Sequence, residues 1–362
     1  MIRLLVVEDS KTVQQALVEI FNSDPNIQVI GIAANGKEAV HAAMTMKPDV
    51  ITMDINMPGM DGFEATRAIM SECPTPIVIV TGKMDPKDSA TLFRVMEAGA
   101  LMISAKPFPP GHPEHDNSVQ ELVKTVKLMS EIKVVRRFFH SGPSKTSSVI
   151  SAPQEIAVKA GAGTRIIAIG TSTGGPPLLQ SILSSLPADF TVPVVIVQHM
   201  TKGFTGEFVS WLNQTSRLPV ELASEGCHMS PGRVYVAPDG FQMLVAPGDR
   251  IVLRTDPPEY GQRPSVSALF RSVAEIYGKS AIGILLTGMG KDGAQELKLL
   301  RENGGITIAQ NRESSVVFGM PGEAIRIDAA DYVLSPEEII SVLWNQTLNT
   351  SKRETGIHDD SA

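Results

Sequence analysis

Five polar residues stand at the ends of short apolar runs in the first third of this sequence: Glu8, Asp9, Asp54, Thr81 and Lys106. If those runs are parallel strands of one sheet, their carboxyl ends meet at one edge, and the five side chains converge there. Three crowded carboxylates raise one another's pKa. A Mg²⁺ ion removes that repulsion, because it prefers oxygen ligands.

This group predicts transfer of a phosphoryl group to a carboxylate, which depends on positioning and charge neutralisation. We assign Asp54 as nucleophile and phosphoacceptor, and Glu8, Asp9 and Asp54 as the acids that bind Mg²⁺. Lys106 is assigned to pair with the phosphoryl oxygens, and the hydroxyl of Thr81 to sense them. Any one of these residues alone could be a helix cap or a solvated loop residue. Their combination at successive strand ends argues for a site.

A second chemical group begins with the string GTSTGGPP at 170–177, which follows an apolar run. It satisfies the G-x-S-x-G pattern, in which a tight strand-to-helix turn exposes the central Ser172 among backbone N–H groups that stabilise an oxyanion. The alternative is the phosphate loop of a nucleotide-binding fold, which expects an acid after the next strand. That strand, 194–197, is followed by Gln198 and His199. A histidine there favours acyl chemistry.

Asp292 supplies the third member of this group. It lies in the string TGMGKDG at 287–293, directly after another apolar run. Its carboxylate is predicted to accept a hydrogen bond from His199 and to stabilise the imidazolium; the alternative is a helix N-cap. The order Ser172, His199, Asp292 differs from that of α/β-hydrolases, so a different serine hydrolase is expected.

Alternating apolar runs and amphipathic stretches position both groups and predict two α/β domains. The first covers 1–130, and the second covers 164–347. The intervening 131–163 contains a stretch rich in Ser, Gly, Pro, Lys and Ala, which predicts an interdomain linker. The polar segment 348–362 is predicted to be a disordered tail. Strands of the second domain are predicted at 166–169, 194–197, 233–237, 251–254, 282–286 and 306–309.

Composition narrows the class of partner. The formal net charge is -7 without a basic run, which argues against nucleic acid. No segment approaches the ~20 apolar residues of a membrane span, and the N-terminal apolar run is too short for a signal peptide. Cys73 and Cys227 fall in different predicted domains, so neither a disulfide nor a cysteine metal site is expected. A cytoplasmic location follows as the simplest expectation.

The first domain resembles the receiver domains of two-component response regulators. The matching strings are VEDS at 7–10, MDINMPGMDG at 53–62 and KPF at 106–108. The resemblance implies a flavodoxin-like five-stranded parallel sheet in the order 2-1-3-4-5. It also implies the Asn56 carbonyl as a further Mg²⁺ ligand and a cis Lys106–Pro107 bond. The insert 109–117 departs from the pattern, and its His112 and His115 are a metal pair by composition or, alternatively, residues of a solvated loop.

The second domain resembles the chemotaxis protein-glutamate methylesterases, the CheB family. The strings that carry this resemblance are GTSTGG at 170–175, VQHM at 197–200, RPSV at 263–266, LFRS at 269–272, LTGMGKDG at 286–293 and SSVVFGMP at 314–321. It implies a doubly wound, mostly parallel α/β domain. Its implied activities are demethylation of glutamate γ-methyl esters and deamidation of selected glutamines on methyl-accepting chemotaxis receptors.

The same resemblance implies how the site works and how it is controlled. Ser172 is the nucleophile, and backbone N–H groups at Thr173 and Met289 bind the oxyanion, with no cofactor. A chemotaxis histidine kinase phosphorylates Asp54, which relieves partial inhibition of the esterase by the receiver, and the protein is expected to be a monomer. Two alternatives stay open: the same esterase chemistry in a non-chemotaxis receptor array, and a phosphorylation-dependent adaptor without catalysis.

Overall fold

The chain divides into two compact units, Met1–Pro143 and Ser144–Ala362, in a computed structural model. The structure describes residues 1–82, 89–132, 134 and 163–354. The division falls within the predicted linker, most of which lies outside the described residues. Each unit is an α/β structure and is described by itself.

The first unit is a five-stranded parallel sheet with flanking helices, in the predicted order β2-β1-β3-β4-β5. Its apolar runs form buried strands; Leu4 to Val7, for example, are at most 1% exposed. The strands are β1 (Ile2–Val7), β2 (Ile27–Ala33), β3 (Val50–Met53), β4 (Ile77–Thr81) and β5 (Met102–Ala105). The helices are α1 (Lys11–Asn22), α2 (Gly36–Met46), α3 (Gly62–Glu72), α4 (Ser89–Glu97) and α5 (His115–Ser130). The predicted receiver fold is confirmed.

The insert after β5 is a loop that leads into α5, which begins at His115. The His112 ring stacks on Phe108, with ring centroids 4.2 Å apart, and its Nδ1 accepts the Glu114 N–H. His115 Nδ1 instead lies 2.6 Å from the Phe108 carbonyl oxygen. Each imidazole therefore has its own local partner, which favours the loop interpretation over a metal pair.

The prediction that the Lys106–Pro107 peptide bond is cis is wrong. Among the described residues, the cis peptide bond lies between Arg263 and Pro264. The trans form is the intrinsically preferred one before proline, and the resemblance alone had pointed to cis.

The second unit contains a seven-stranded parallel sheet in the order β14-β13-β12-β6-β7-β9-β8, together with an antiparallel β10–β11 hairpin. Its strands are β6 (Ile166–Thr171), β7 (Val194–Gln198), β8 (Val220–Leu222), β9 (Val234–Val236), β10 (Gln242–Ala246), β11 (Arg250–Arg254), β12 (Ala281–Leu285), β13 (Ile306–Gln310) and β14 (Tyr332–Leu334). Its helices are α6 (Gly175–Ser185), α7 (Thr205–Thr215), α8 (Val266–Ile276), α9 (Ala294–Glu302), α10 (Met320–Arg326) and α11 (Pro336–Glu354).

From β6 the chain adds β7, β8 and β9 on one side of that strand, and later adds β12, β13 and β14 on its other side. The order of strands therefore reverses at β6. In open α/β sheets, binding crevices lie at such a reversal, at the carboxyl ends of the strands. The doubly wound, mostly parallel prediction is confirmed.

Helix α11 extends into the predicted tail, so residues 348–354 are helical where the sequence predicted disorder. Polar residues can continue a helix that is already nucleated, and the first turns of α11 bury Ile339, Val342 and Leu343. Residues 355–362 lie outside the described part. None of the helices that the structure describes has the length and apolar character needed to cross a bilayer.

Candidate functional site

The acidic residues of the first unit meet at the carboxyl edge of its sheet. Strands β1 and β3 are neighbours with Val7 paired to Met53, so Glu8 and Asp54 emerge side by side. Glu8, Asp9 and Asp54 each offer one carboxylate oxygen, and these oxygens lie within 4.8 Å of one another. Glu8 and Asp54 are buried, whereas Asp9 is exposed.

Lys106 closes this cluster from the end of β5. Its Nζ lies 2.8 Å from Asp54 Oδ2 and 2.7 Å from Glu8 Oε2. Burial opposes the charged ammonium, but the hydrogen bond to Asp54 and the close contact with the Glu8 carboxylate outweigh it and raise the pKa of Lys106. Its backbone N–H also donates to the carbonyl oxygen of the buried Thr81. The structure thus brings together the lysine, the hydroxyl-bearing residue and the three acids.

The charge balance of this cluster fits a divalent cation. Burial raises the pKa of Glu8, and the charge of Asp54 raises it further, against the opposing effect of the close contact with Lys106. Glu8 Oε2 is buried, and its short contact with Lys106 lacks hydrogen-bond alignment. An all-oxygen donor set with excess negative charge is the kind that Mg²⁺ prefers. Asn56 is exposed two residues after Asp54, and its carbonyl ligation stays a prediction.

A glycine allows the backbone at Asp54 to be approached closely. A Cβ on Gly62 would lie 2.2 Å from the Asp54 carbonyl oxygen, and the Gly62 N–H donates to the Ile55 carbonyl. Helix α3 therefore begins directly against the turn at Asp54, and Asp61 caps it by accepting the Glu64 N–H.

In the second unit, Ser172, His199 and Asp292 follow the adjacent strands β6, β7 and β12. All three are buried, with 7%, 6% and 2% of their surface exposed. The Ser172 N–H donates to the Thr287 carbonyl, which joins the serine turn to the loop after β12. A Cβ on Gly288 would lie 2.8 Å from Ser172 Cβ, so a glycine there lets that loop lie against the serine.

Asp292 is held from two directions. His199 Nε2 lies 2.8 Å from Asp292 Oδ2, although the ring N–H is not aligned for a hydrogen bond. The carboxylate also accepts the backbone N–H groups of Val266 and Ser267, at 2.7 and 2.9 Å, in the first turn of α8. Burial opposes ionisation of Asp292, but the contacts with His199, Ser267 and Val266 outweigh it and lower its pKa.

The side chains of Ser172 and His199, the predicted nucleophile and base, are not in hydrogen-bond contact. Among the described residues, Ser172 Oγ forms no hydrogen bond with His199, and Nδ1 is the ring nitrogen that does not face Asp292. Catalytic hydrogen bonds are often long or absent before substrate binds. The Thr173 and Met289 N–H groups donate to no protein group within the described ranges, so both are available to an oxyanion.

Sequence reasoning missed the amides that hold these loops. Gln198 Nε2 donates to the carbonyls of both Ser172 and His199, at 2.9 and 2.7 Å. Gln310 Oε1 accepts the Thr287 N–H. The available signal in the sequence was a glutamine at the last position of an otherwise apolar strand. Gln198 is the last residue of β7, and Gln310 is the last residue of β13.

Fold and sites together define a class: a receiver domain joined to a doubly wound α/β domain that carries a serine, a histidine and an aspartate at adjacent strand ends. Residues 4–113 match the family model of the response regulator receiver domain, and residues 167–343 match that of the CheB methylesterase.

The relatives extend this likeness over nearly the full chain. A protein-glutamate methylesterase/protein-glutamine glutaminase from Nitrosospira multiformis is 52% identical over 357 residues, covering 98% of this chain and 100% of the relative. One from Geobacter metallireducens is 50% identical over 344 residues, covering 95% and 98%. The crystal structure of the Thermotoga maritima CheB methylesterase catalytic domain is 39% identical with a TM-score of 0.49, covering 51% of this chain and 98% of that one. The chain belongs to the CheB protein-glutamate methylesterase family.

Proposed function

We propose that this protein is a phosphorylation-regulated serine hydrolase acting on methyl-accepting chemotaxis receptors in the cytoplasm. It demethylates glutamate γ-methyl esters and deamidates selected glutamines. The observation that carries the proposal is the meeting of Ser172, His199 and Asp292 at the ends of three adjacent strands, in a chain at least half identical to two relatives with this name. An adaptor without catalysis would have no need of all three.

The hydrolysis follows from the placement of these groups. Ser172 Oγ attacks the ester carbonyl carbon while His199 Nδ1 takes its proton, and Asp292 stabilises the resulting imidazolium. The N–H groups of Thr173 and Met289 bind the oxyanion. His199 then protonates the departing methanol, and water attacks the acyl-enzyme to leave a receptor glutamate. With a glutamine substrate the leaving group is ammonia. The proposed reaction uses no cofactor.

The receiver unit is proposed to accept a phosphoryl group on Asp54 from a chemotaxis histidine kinase. An oxygen of Asp54 attacks the phosphorus of the kinase's phosphohistidine, the P–N bond breaks and the imidazole leaves; Lys106 pairs with the phosphoryl oxygens, and Thr81 responds to them. Glu8, Asp9, Asp54 and the Asn56 carbonyl would hold Mg²⁺, which when bound neutralises charge on the phosphoryl group. The protein is proposed to act as a monomer.

Replacement of the nucleophile tests this function. Ser172→Ala is expected to reduce methanol release from methylated receptor membranes at least about 10⁴-fold, because it removes the attacking hydroxyl. Ser181→Ala, on the exposed side of the following helix α6, is the matched control and should retain the wild-type rate. Methanol release by folded Ser172→Ala protein at the wild-type rate would refute the nucleophile assignment.

A further inference from the structure

Two cations near the catalytic residues each lie over an aromatic ring. Lys291 Nζ is 5.6 Å from the centroid of Tyr260, and Arg312 Cζ is 4.3 Å from the centroid of Phe318. Both distances fall within the range in which a ring face attracts a cation. None of these four residues takes part in the proposed hydrolysis.

The first pair stands beside Asp292. Lys291 immediately precedes that acid, and Tyr260 lies in a tight turn closed by two hydrogen bonds between the backbones of Glu259 and Gln262. Tyr260 has a φ of 50°, a left-handed conformation that is uncommon for an aromatic residue. Its ring is nevertheless presented outward, since the residue is 49% exposed.

An arginine fixes this turn in place. Arg271, from α8, binds both oxygens of Glu259, at 3.1 and 2.7 Å, and lies 3.2 Å from an oxygen of Glu296. The same Glu296 accepts the hydroxyl of Ser267, whose N–H bonds Asp292. The Tyr260 turn is therefore tied to the helix that holds the catalytic acid.

The second pair stands beside Ser172. Phe318 forms an isolated parallel β-bridge with Gly288, the glycine that lies against Ser172. The Gly288 N–H donates to the Val317 carbonyl. Near the other end of this loop, Ser314 Oγ accepts a hydrogen bond from Gln310. Arg312 is thus carried by a loop whose two ends are both anchored at the catalytic edge of the sheet.

The neighbouring glutamates form their ion pairs with arginines. Glu259 and Glu296 pair with Arg271, and Glu323 pairs with Arg326. Within the described part of the chain, neither Lys291 nor Arg312 forms an ion pair with a carboxylate. The exposed Glu313 offsets part of their charge. Two cations that lack carboxylate partners, at the catalytic site of a protein with net charge -7, suit a negatively charged partner.

We infer that Lys291 and Arg312 bind carboxylates flanking the reacting glutamate on an acidic segment of the substrate, while Tyr260 and Phe318 hold the two cations in position. The inference rests on the proposed function. Each turnover converts a neutral ester or amide into a carboxylate. A substrate segment with several such glutamates therefore carries negative charges beside the reacting one.

The test compares two peptides, each with one γ-methyl glutamate ester, flanked by glutamates in the first and by serines at the same positions in the second. With the full-length protein, methanol release should show a higher kcat/KM for the acidic peptide, and added salt should reduce that advantage. Lys291→Gln and Arg312→Gln should each lower kcat/KM for the acidic peptide about two- to fivefold, mainly through KM. Arg312→Lys should retain most of the preference.

Lys279→Gln is the matched control, since Lys279 lies in the turn at Gly278–Ser280 that precedes β12, away from the carboxyl ends of the strands. It should show the wild-type preference. An unchanged preference in the Lys291→Gln, Arg312→Gln double variant would overturn the inference. Equal binding of both peptides to Ser172→Ala protein, measured by calorimetry, would overturn it independently of turnover. Absence of methanol release from both peptides by the wild type would instead contradict the proposed function itself.

Discussion

The carboxylate of Asp292 lies where the first turn of α8 and the imidazole of His199 meet. Val266 and Ser267 donate backbone N–H groups to it, and these groups carry the partial positive charge of a helix N-terminus. The lowered pKa of Asp292 means that the ionised form is favoured by folding. Its stabilising contribution is present above the unfolded value of about 3.9 and is lost as the pH falls through the lower folded pKa.

Asp292→Asn is therefore expected to affect both catalysis and acid stability. An amide cannot stabilise the imidazolium by charge, and kcat should fall by up to about 10⁴-fold with little change in KM. Unfolding of the variant should depend less on pH below about 4, because the depressed carboxyl is gone. Methanol-release kinetics and acid unfolding curves measure the two effects. Asp189→Asn, at an exposed loop position, should change neither, and a variant with near wild-type kcat would contradict the role.

The proposed catalytic residues stand out in the sequence because each lies in a short polar segment that follows an apolar run. Their supporting donors were not. Asp292 is bonded by Val266 and Ser267, which lie 26 and 25 positions away in the chain. Whether that helix N-terminus meets the acid is decided by packing of α8 on the sheet. The sequence offered an N-cap as an alternative role for Asp292, and the acid does bind helix N–H groups, but those of α8 rather than of the helix that follows it.

Among the elements, adjacent strands of the first unit determine which side chains share a site. The pairing of β1 with β3 and of β4 with β5 brings Glu8, Asp54, Thr81 and Lys106 to one edge, and apolar runs sufficed to predict this. Strands β8, β10 and β14 of the second unit were missed. Strands β8 and β14 have three residues each, and helix α10 has seven, too few for a period to show, whereas β10 was missed although it contains an apolar run.

The convergence of β1 and β3 leads to a test of metal binding. Asp9→Asn is expected to weaken Mg²⁺ binding at least about tenfold, because it removes one of three carboxylates from the cluster. Isothermal titration calorimetry of the full chain measures this directly. In the wild type, Mg²⁺ at a hundredfold excess over Kd should raise the free energy of unfolding of the receiver by about 2.7 kcal/mol.

Asp49→Asn provides the control for that measurement. Asp49 precedes β3 and accepts the Arg3 N–H at the opposite edge of the same sheet, where an asparagine oxygen can accept the same bond. It should bind Mg²⁺ as the wild type does. Equal affinities for the wild type and Asp9→Asn would remove Asp9 from the proposed ligand set.

At the scale of the whole molecule, one chain carries a phosphoacceptor cluster and a hydrolase site in separate compact units. Phosphorylation replaces the single negative charge of the Asp54 carboxylate with a phosphoryl group of about -1.5 to -2 charges beside Lys106 and Thr81. Such a change can shift an existing equilibrium between less active and more active states, by as much as the interaction free energy of the phosphoryl group differs between the two states. A tenfold activation requires a shift of only about 1.4 kcal/mol.

The Asp54→Asn variant tests whether phosphorylation of the first unit regulates hydrolysis by the second. Without a carboxylate nucleophile no phosphoryl group can be accepted, so an acyl phosphate donor with Mg²⁺ should stimulate methanol release by the wild type and leave the variant at its basal rate. That basal rate should match the unstimulated wild type, because Ser172, His199 and Asp292 all lie in the other unit. Asp49→Asn should respond to the donor normally. If Asp54→Asn also lost the basal rate, Asp54 would be supporting the hydrolase directly rather than regulating it through phosphorylation.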